Sequence, residues 1–499
     1  MSAFPDPLTF EKEPRTDLHT TSSSLQRSSQ EDVTTSIDPA MDRRVVRKCD
    51  LFVLPPVFVI FMVTFWDRVN IGNAKIQGMP KELHLKGQQF NIATMILFVP
   101  FILFEIPENI LLKKTKPYIW LTILITGCGI SNMAMGFVHS YSALLGVRFL
   151  LGIFESGIGA GCVFVISSYY NRYELPSKLA IWYLSGIAGA AFGGLLAYGI
   201  VRMDGMAGLS GWRWIFIIEG SITAVVGLTM YFWLPDWPEG TSRRFLKPDE
   251  HAVLLARLKA DRTSSAQMER WDRKRVLSDW RIWIGTLMYL CVITSTYGTS
   301  FYTPTILVEM GFTAIHAQLL TFPPYACAAI FCLTFCMLSD RFKHRYGFLM
   351  GGVCIGTLGY AILLAQSSNP HMPVGAKYFA LFPLIAAPQI VQPLTVAWMM
   401  NNVGGHYKRA FASACQIGFG SGGGIIASNI YFTADAPYFR VGFGVSLALL
   451  LLNGILATIL YFSLKRANKA KAEGKQDHLL HGKDADNLGD DHPHFVYTY

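Results

Sequence analysis

Twelve apolar stretches recur along this chain, separated by short polar turns and one long polar loop. They lie near 51–70, 91–112, 119–138, 141–166, 179–201, 212–234, 282–303, 317–338, 347–366, 376–400, 410–433 and 439–464. Roughly 20 apolar residues cross a bilayer core, so each stretch predicts a transmembrane helix. Leu51 to Trp66 is sixteen residues, and the first span must draw in Asp67, Arg68 and Asn70. The fourth stretch encloses Arg148 and Glu155. A charge at the membrane centre costs at least ~3 kcal/mol, so these residues predict a solvated cavity rather than a lipid-facing surface. Seven residues at 3.6 per turn return to within about 20° of the same face and rise about 10 Å, which places Arg148 and Glu155 on one wall. Gly157 and Gly161 follow in the GxxxG spacing that lets two membrane helices approach closely.

The polar loop 235–281 divides the spans into two groups of six. This predicts a disordered tail over 1–42, a six-helix half over 43–234, a linker over 235–281, a second half over 282–466 and a disordered tail over 467–499. Pro248, Asp249 and Glu250 make a helix start, and Leu254, Leu255 and Leu258 supply an apolar face, so a short amphipathic helix is expected in the linker, lying along the inner surface. Weak correspondences between the halves suggest parallel repeats. Basic turns close the second and eighth spans, at Pro107–Lys116 and Leu338–Arg345, and GxxxG seams recur in the fifth and eleventh. The tenth span offers the amides Gln389, Gln392, Asn401 and Asn402 where the fourth has charges.

Lysine and arginine are retained on the cytoplasmic side. With the N-terminus inside, 30 basic residues flank the inner ends and 8 the outer, so both termini and the linker are expected in the cytoplasm. A content of 52% hydrophobic and 15% charged residues, against a soluble average nearer ~25% charged, belongs to a membrane protein. The net charge of +9 does not imply nucleic acid, because the basic residues punctuate apolar runs instead of forming a patch. Nine cysteines show no metal-ligand spacing, and no nucleophile stands with a paired base, so neither a metal site nor an enzyme is expected. The basic run Arg270–Arg275 reads as a solvated face, and His478, His481, His492 and His494 as part of a solvated tail.

Several strings resemble the major facilitator superfamily and, within it, the fungal allantoate-permease-like branch of the anion:cation symporters. They are W-D-R-V-N-I-G-N-A-K at Trp66–Lys75, R-F-L-L-G-I-F-E-S-G at Arg148–Gly157, G-W-R-W-I-F-I-I-E-G at Gly211–Gly220, L-P-D-W-P at Leu234–Pro238, N-V-G-G-H-Y-K-R at Asn402–Arg409 and D-A-P-Y at Asp435–Tyr438. The resemblance covers about Arg43 to Arg466 and implies an all-α fold of twelve transmembrane helices in two pseudo-symmetric halves. It implies proton symport of a small carboxylate, with Asp67, Arg68, Arg148 and Glu155 in the central cavity and Asn402 facing the substrate from the second half. Arginine presents a planar fork that matches a carboxylate, which assigns the anion to Arg148 and Arg68, while Glu155, with Asp67 as the alternative, carries the proton. Asp67, beside Arg68, is expected to form a local ion pair. Gln389, Gln392, Tyr297 and Trp398 join the candidate substrate site on polarity and placement. The superfamily's loop motif keeps its core at Asp340, Arg341 and Arg345, expected in gating, and is degenerate at Pro107–Lys114. A monomer in the plasma membrane, driven by the proton gradient without a cofactor, is the expectation, with nicotinate as first substrate and allantoate, pantothenate or biotin as rivals. An exporter of an organic acid and a non-transporting anion sensor are the competing readings.

Overall fold

In a computed structural model the described residues are 38–171, 174–240, 245–264, 277–366, 368–369, 371–404, 406–476, 489–493 and 495–499. The tail up to residue 37, the basic run 270–275 and the histidines 478, 481 and 494 lie outside them. Long helices dominate: α1 (Pro39–Ile76), α2 (Gln89–Lys114), α3 (Pro117–Met135), α4 (Tyr141–Tyr169), α5 (Leu175–Ile200), α6 (Gly211–Trp233), α7 (Trp280–Glu309), α8 (Ala314–Phe342), α9 (Arg345–Ala365), α10 (Val374–Asn402) and α12 (Arg440–Ala472). Among the described residues these 11 are long and apolar enough to cross a membrane. The remaining stretch forms α11 in two pieces, α11a (His406–Gly420) and α11b (Gly423–Ile430), broken at Ser421–Gly422. The break falls in the glycine run predicted as a packing seam. A Cβ on Gly420 would overlap the Tyr289 ring of α7, and one on Gly424 the Phe98 ring of α2.

Asp38 caps α1, its carboxylate accepting from Ala40 N at 2.9 Å ahead of Pro39. The helix is interrupted at Val53, where Pro55 and Pro56 follow, and then continues to Ile76. It thus extends six residues past Asn70, and Val63–Ala74 is buried on every face. Asp67 and Arg68 therefore sit inside the protein rather than at a rim.

Helix pairings in one half recur in the other six helices later. The pairs α1–α5, α2–α4, α3–α4 and α3–α6 match α7–α11, α8–α10, α9–α10 and α9–α12. Across the halves, α5 packs on α8, α2 on α11 and α1 on α7. Apolar side chains such as Leu103, Ile106, Phe232, Ile330 and Ile459 cover the outside, while polar residues concentrate within. That inversion is what a bilayer solvent demands.

The described parts of the linker, the start of α1 and the described residues from 489 on lie on one face, called here the linker face. The linker helix, Pro248–Ser264, buries Leu254 and Leu258 of its apolar face against the protein. Glu250 accepts from Lys48 at 2.7 Å and pairs with Arg44 at 3.2 Å, and Arg257 bridges Asp42 at 2.6 Å and Glu174 at 2.8 Å. The Lys48 bonds hold the Glu250 carboxyl below its ordinary range.

On the opposite, far face the halves touch. A Cβ on Gly72 would overlap the Phe301 carbonyl of α7, and one on Gly194 would overlap the Thr321 hydroxyl of α8. Asn91 of α2 accepts from the Tyr302 hydroxyl at 3.3 Å and donates to the Tyr431 carbonyl at 3.4 Å. The tryptophan–arginine string at the start of α6 also serves this face. Glu82 accepts from Ser210, Trp212 and Arg213, at 2.5, 2.6 and 2.8 Å, and these bonds outweigh burial to hold its carboxyl below the ordinary range.

Candidate functional site

Charged side chains from α1 and α4 meet an aromatic wall from α2 and α7 between the halves. Arg68 Nε donates to Glu155 Oε1 at 2.7 Å, and its Nη1 donates to the Tyr297 hydroxyl. The guanidinium lies over Phe101 at 4.9 Å and Tyr297 at 5.5 Å from the ring centres, the range of cation–π attraction. Arg148 is 1% exposed. Its Nη1 donates to the Arg68 carbonyl at 3.4 Å, whereas Nε and Nη2 have no hydrogen-bond partner. Those two nitrogens form one edge of the guanidinium, with parallel N–H groups, the edge that takes a carboxylate in two bonds.

Arg148 and Glu155 lie on one helix two turns apart, but Glu155 reaches across to Arg68 on α1. Asp67 forms no local pair with Arg68: consecutive helical residues diverge by about 100°, and Asp67 turns toward α3 and α6. There Asn132 Nδ2 donates to Asp67 Oδ1 at 2.6 Å. Trp66, its neighbour, donates to Thr223 of α6 at 3.3 Å. One turn before Thr223, Glu219 is fully buried with both carboxyl oxygens unpartnered. Glu105 of α2 is also buried, one turn from Phe101, with Oε2 unpartnered and facing Gly418 of α11a. The sequence reading passes over Glu105, Glu108 and Glu219. Each lies inside an apolar run, and the burial argument that selects Glu155 selects them equally.

The C-half candidates divide. Tyr297 joins the Arg68 cluster. Gln392 accepts from Thr296 at 3.2 Å and donates to Tyr289 at 3.3 Å, crossing from α10 to α7, and Gln389 is buried on α10. Trp398 and Asn402 instead occupy the linker-face end of α10, where both bond Thr498 of the C-terminal segment. Asp340 and Arg345 pair at 2.5 Å across the α8–α9 turn, also at the linker face, and Arg341 is exposed in the last turn of α8.

Comparison with known proteins agrees with this architecture. A family model described as Major Facilitator Superfamily matches residues 57–428. An uncharacterised transporter of Schizosaccharomyces pombe is 34% identical over 427 residues, covering 85% of this chain and 84% of that protein. A high-affinity nicotinic acid transporter of Saccharomyces cerevisiae is 30% identical over 470 residues, covering 92% and 85%. Among solved structures, a bacterial homologue of the human lysosomal transporter Spinster, inward-facing and occupied, superposes with a TM-score of 0.63 at 16% identity, over 82% of this chain and 96% of the other. The xylose transporter XylE from E. coli, partially occluded and inward open, gives 0.63 at 14% identity, over 81% and 96%. With the family model spanning most of its helices, the fold shared with solved transporters, and transporters matching along nearly its whole length, this multi-pass membrane chain belongs to the Major Facilitator Superfamily.

Proposed function

We propose that the chain is a proton-coupled symporter of a small monocarboxylate, with nicotinate the first substrate to test. The observation that carries this reading is the unpartnered Nε and Nη2 edge of buried Arg148. A guanidinium left half-bonded inside a membrane protein is costly unless an anion completes it, and a carboxylate fits that edge. The nicotinic acid transporter at 30% identity supports the choice of substrate.

Coupling rests on Glu155. Its 2.7 Å bond to Arg68 ties α4 to α1 while the carboxylate is charged. Protonation removes that pair and frees Arg68, which Tyr297 links to α7 in the other half. Proton loading is thereby connected to the contact between halves. Asp67, held by Asn132, is the alternative proton site. One proton with one monocarboxylate carries no net charge. The membrane potential, about 2.3 kcal/mol per charge per 100 mV, then drops out, and each pH unit supplies about 1.4 kcal/mol. In this reading the protein acts as a monomer in the plasma membrane, with the linker face in the cytoplasm.

The test is uptake of labelled nicotinate by purified protein in liposomes under an imposed pH gradient, with and without an uncoupler. Accumulation abolished by the uncoupler is the expected result. Gradient-independent equilibration would overturn the coupling, and failure of every monocarboxylate in a panel would overturn the substrate class.

A further inference from the structure

The last turns of α12 run past its apolar stretch to Ala472, and residues 489–493 and 495–499 return to the same linker face, against α7 and α9 to α12. Their contacts are those of a bound peptide. Asn468 of α12 takes both backbone groups of Tyr497, accepting from its N–H at 2.9 Å and donating to its carbonyl at 2.9 Å. Asn402 of α10 does the same to Thr498, at 2.8 and 3.0 Å, and Trp398 Nε1 adds a second donor to the Thr498 carbonyl at 2.9 Å. Successive residues of an extended strand turn their N–H and C=O pairs to opposite edges, so two asparagines on different helices clamp the two edges. This is strand recognition carried out by side-chain amides.

Side chains anchor the rest. Asp490, 1% exposed, accepts from Lys408 of α11a at 2.8 Å and from Arg281 of α7 at 3.2 Å. The buried Tyr497 hydroxyl accepts from Arg281 at 2.6 Å and donates to the Asp490 carbonyl at 2.8 Å. Lys471 donates to the carbonyls of Asp490, His492 and Phe495, at 2.6, 3.1 and 3.0 Å, and its ammonium lies 4.2 Å from the Tyr497 ring centre. The Tyr499 carbonyl accepts from Arg345 N at the start of α9.

We propose that the linker face of the C-half is a peptide-recognition site, that its ligand is the chain's own segment 489–499, and that docking ties the linker-side ends of α7 and α9 to α12 into one body. The ligand class is a peptide whose buried acid lies in a 3-10 turn, seven residues before a buried tyrosine that is bound along both backbone edges. The site stands apart from the Arg68–Glu155 cluster and does not depend on what is transported.

Hydrogen exchange read by mass spectrometry on the full-length protein tests it. The Tyr497 and Thr498 amides should exchange at least about 10-fold more slowly than in the free peptide, and the double variant Asn402→Ala, Asn468→Ala should bring them to the free rate. Free-peptide exchange in the wild type overturns the proposal. A second arm uses protein ending at residue 488 and a fluorescent peptide of residues 489–499. Saturable binding, lost when the peptide carries Asp490→Lys, is expected. If the shortened protein keeps its thermal transition and binds no peptide, the site is not a recognition site.

Discussion

In the proposed symport, Arg148 is the residue on which substrate chemistry turns. Lysine keeps the charge but offers no parallel edge, so Arg148→Lys should weaken nicotinate binding by about 10-fold to 100-fold, the worth of one or two charge-assisted hydrogen bonds. Isothermal titration of the purified variant measures this, and wild-type affinity would make Arg148 a packing residue. Glu155→Gln imitates the protonated carboxyl and removes the charge from the Arg68 pair. It should exchange substrate across liposomes yet fail to concentrate it under a pH gradient. If Glu155→Gln still accumulates substrate while Asp67→Asn does not, the proton belongs to the α1, α3 and α6 contact. Burial cost points to these four residues in the sequence and equally to Glu105, Glu108 and Glu219, to which the family resemblance assigns no role. Partner choice was not legible there, because helical period fixes a face but not the neighbour across it, and so Glu155 pairs with Arg68, not with Arg148 two turns away.

Among whole elements, α1 and α7 make one of the contacts that hold the halves together on the far face. Their far-face approach depends on the missing side chain of Gly72, since any Cβ there overlaps the Phe301 carbonyl. Gly72→Val should therefore hold the halves apart on that face and raise labelling of a cysteine placed at Asn91, by at least several-fold over the same cysteine in the unchanged background. Unaltered labelling would show that the halves close without this contact. The twelve apolar runs forecast these helices closely. Three features needed tertiary knowledge: α1 continues to Ile76, α11 breaks at Ser421–Gly422, and the linker helix buries its leucines on the protein. A hydropathy pattern shows that a face is apolar, not what covers it.

For the molecule as a whole, the 30 to 8 excess of basic residues predicts a cytoplasmic linker face. An epitope at the N-terminus should stay unlabelled on intact cells and label after permeabilisation; labelling on intact cells would invert the orientation. The parallel halves were legible as weak repeats and appear in the helix pairings six apart. The end of the chain was not. Composition predicts disorder from residue 467 on, whereas α12 continues to Ala472 and residues 489–493 and 495–499 lie against five helix ends, held by backbone bonds that no composition records. This changes how the protein should be handled at the bench. A fluorescent reporter or affinity handle joined after Tyr499 begins beside the first turn of α9, where it competes with the Arg345 contact for room. A lower thermal transition than that of the untagged chain is the expected signature of such a fusion, and an unchanged one would show that the docked segment tolerates it.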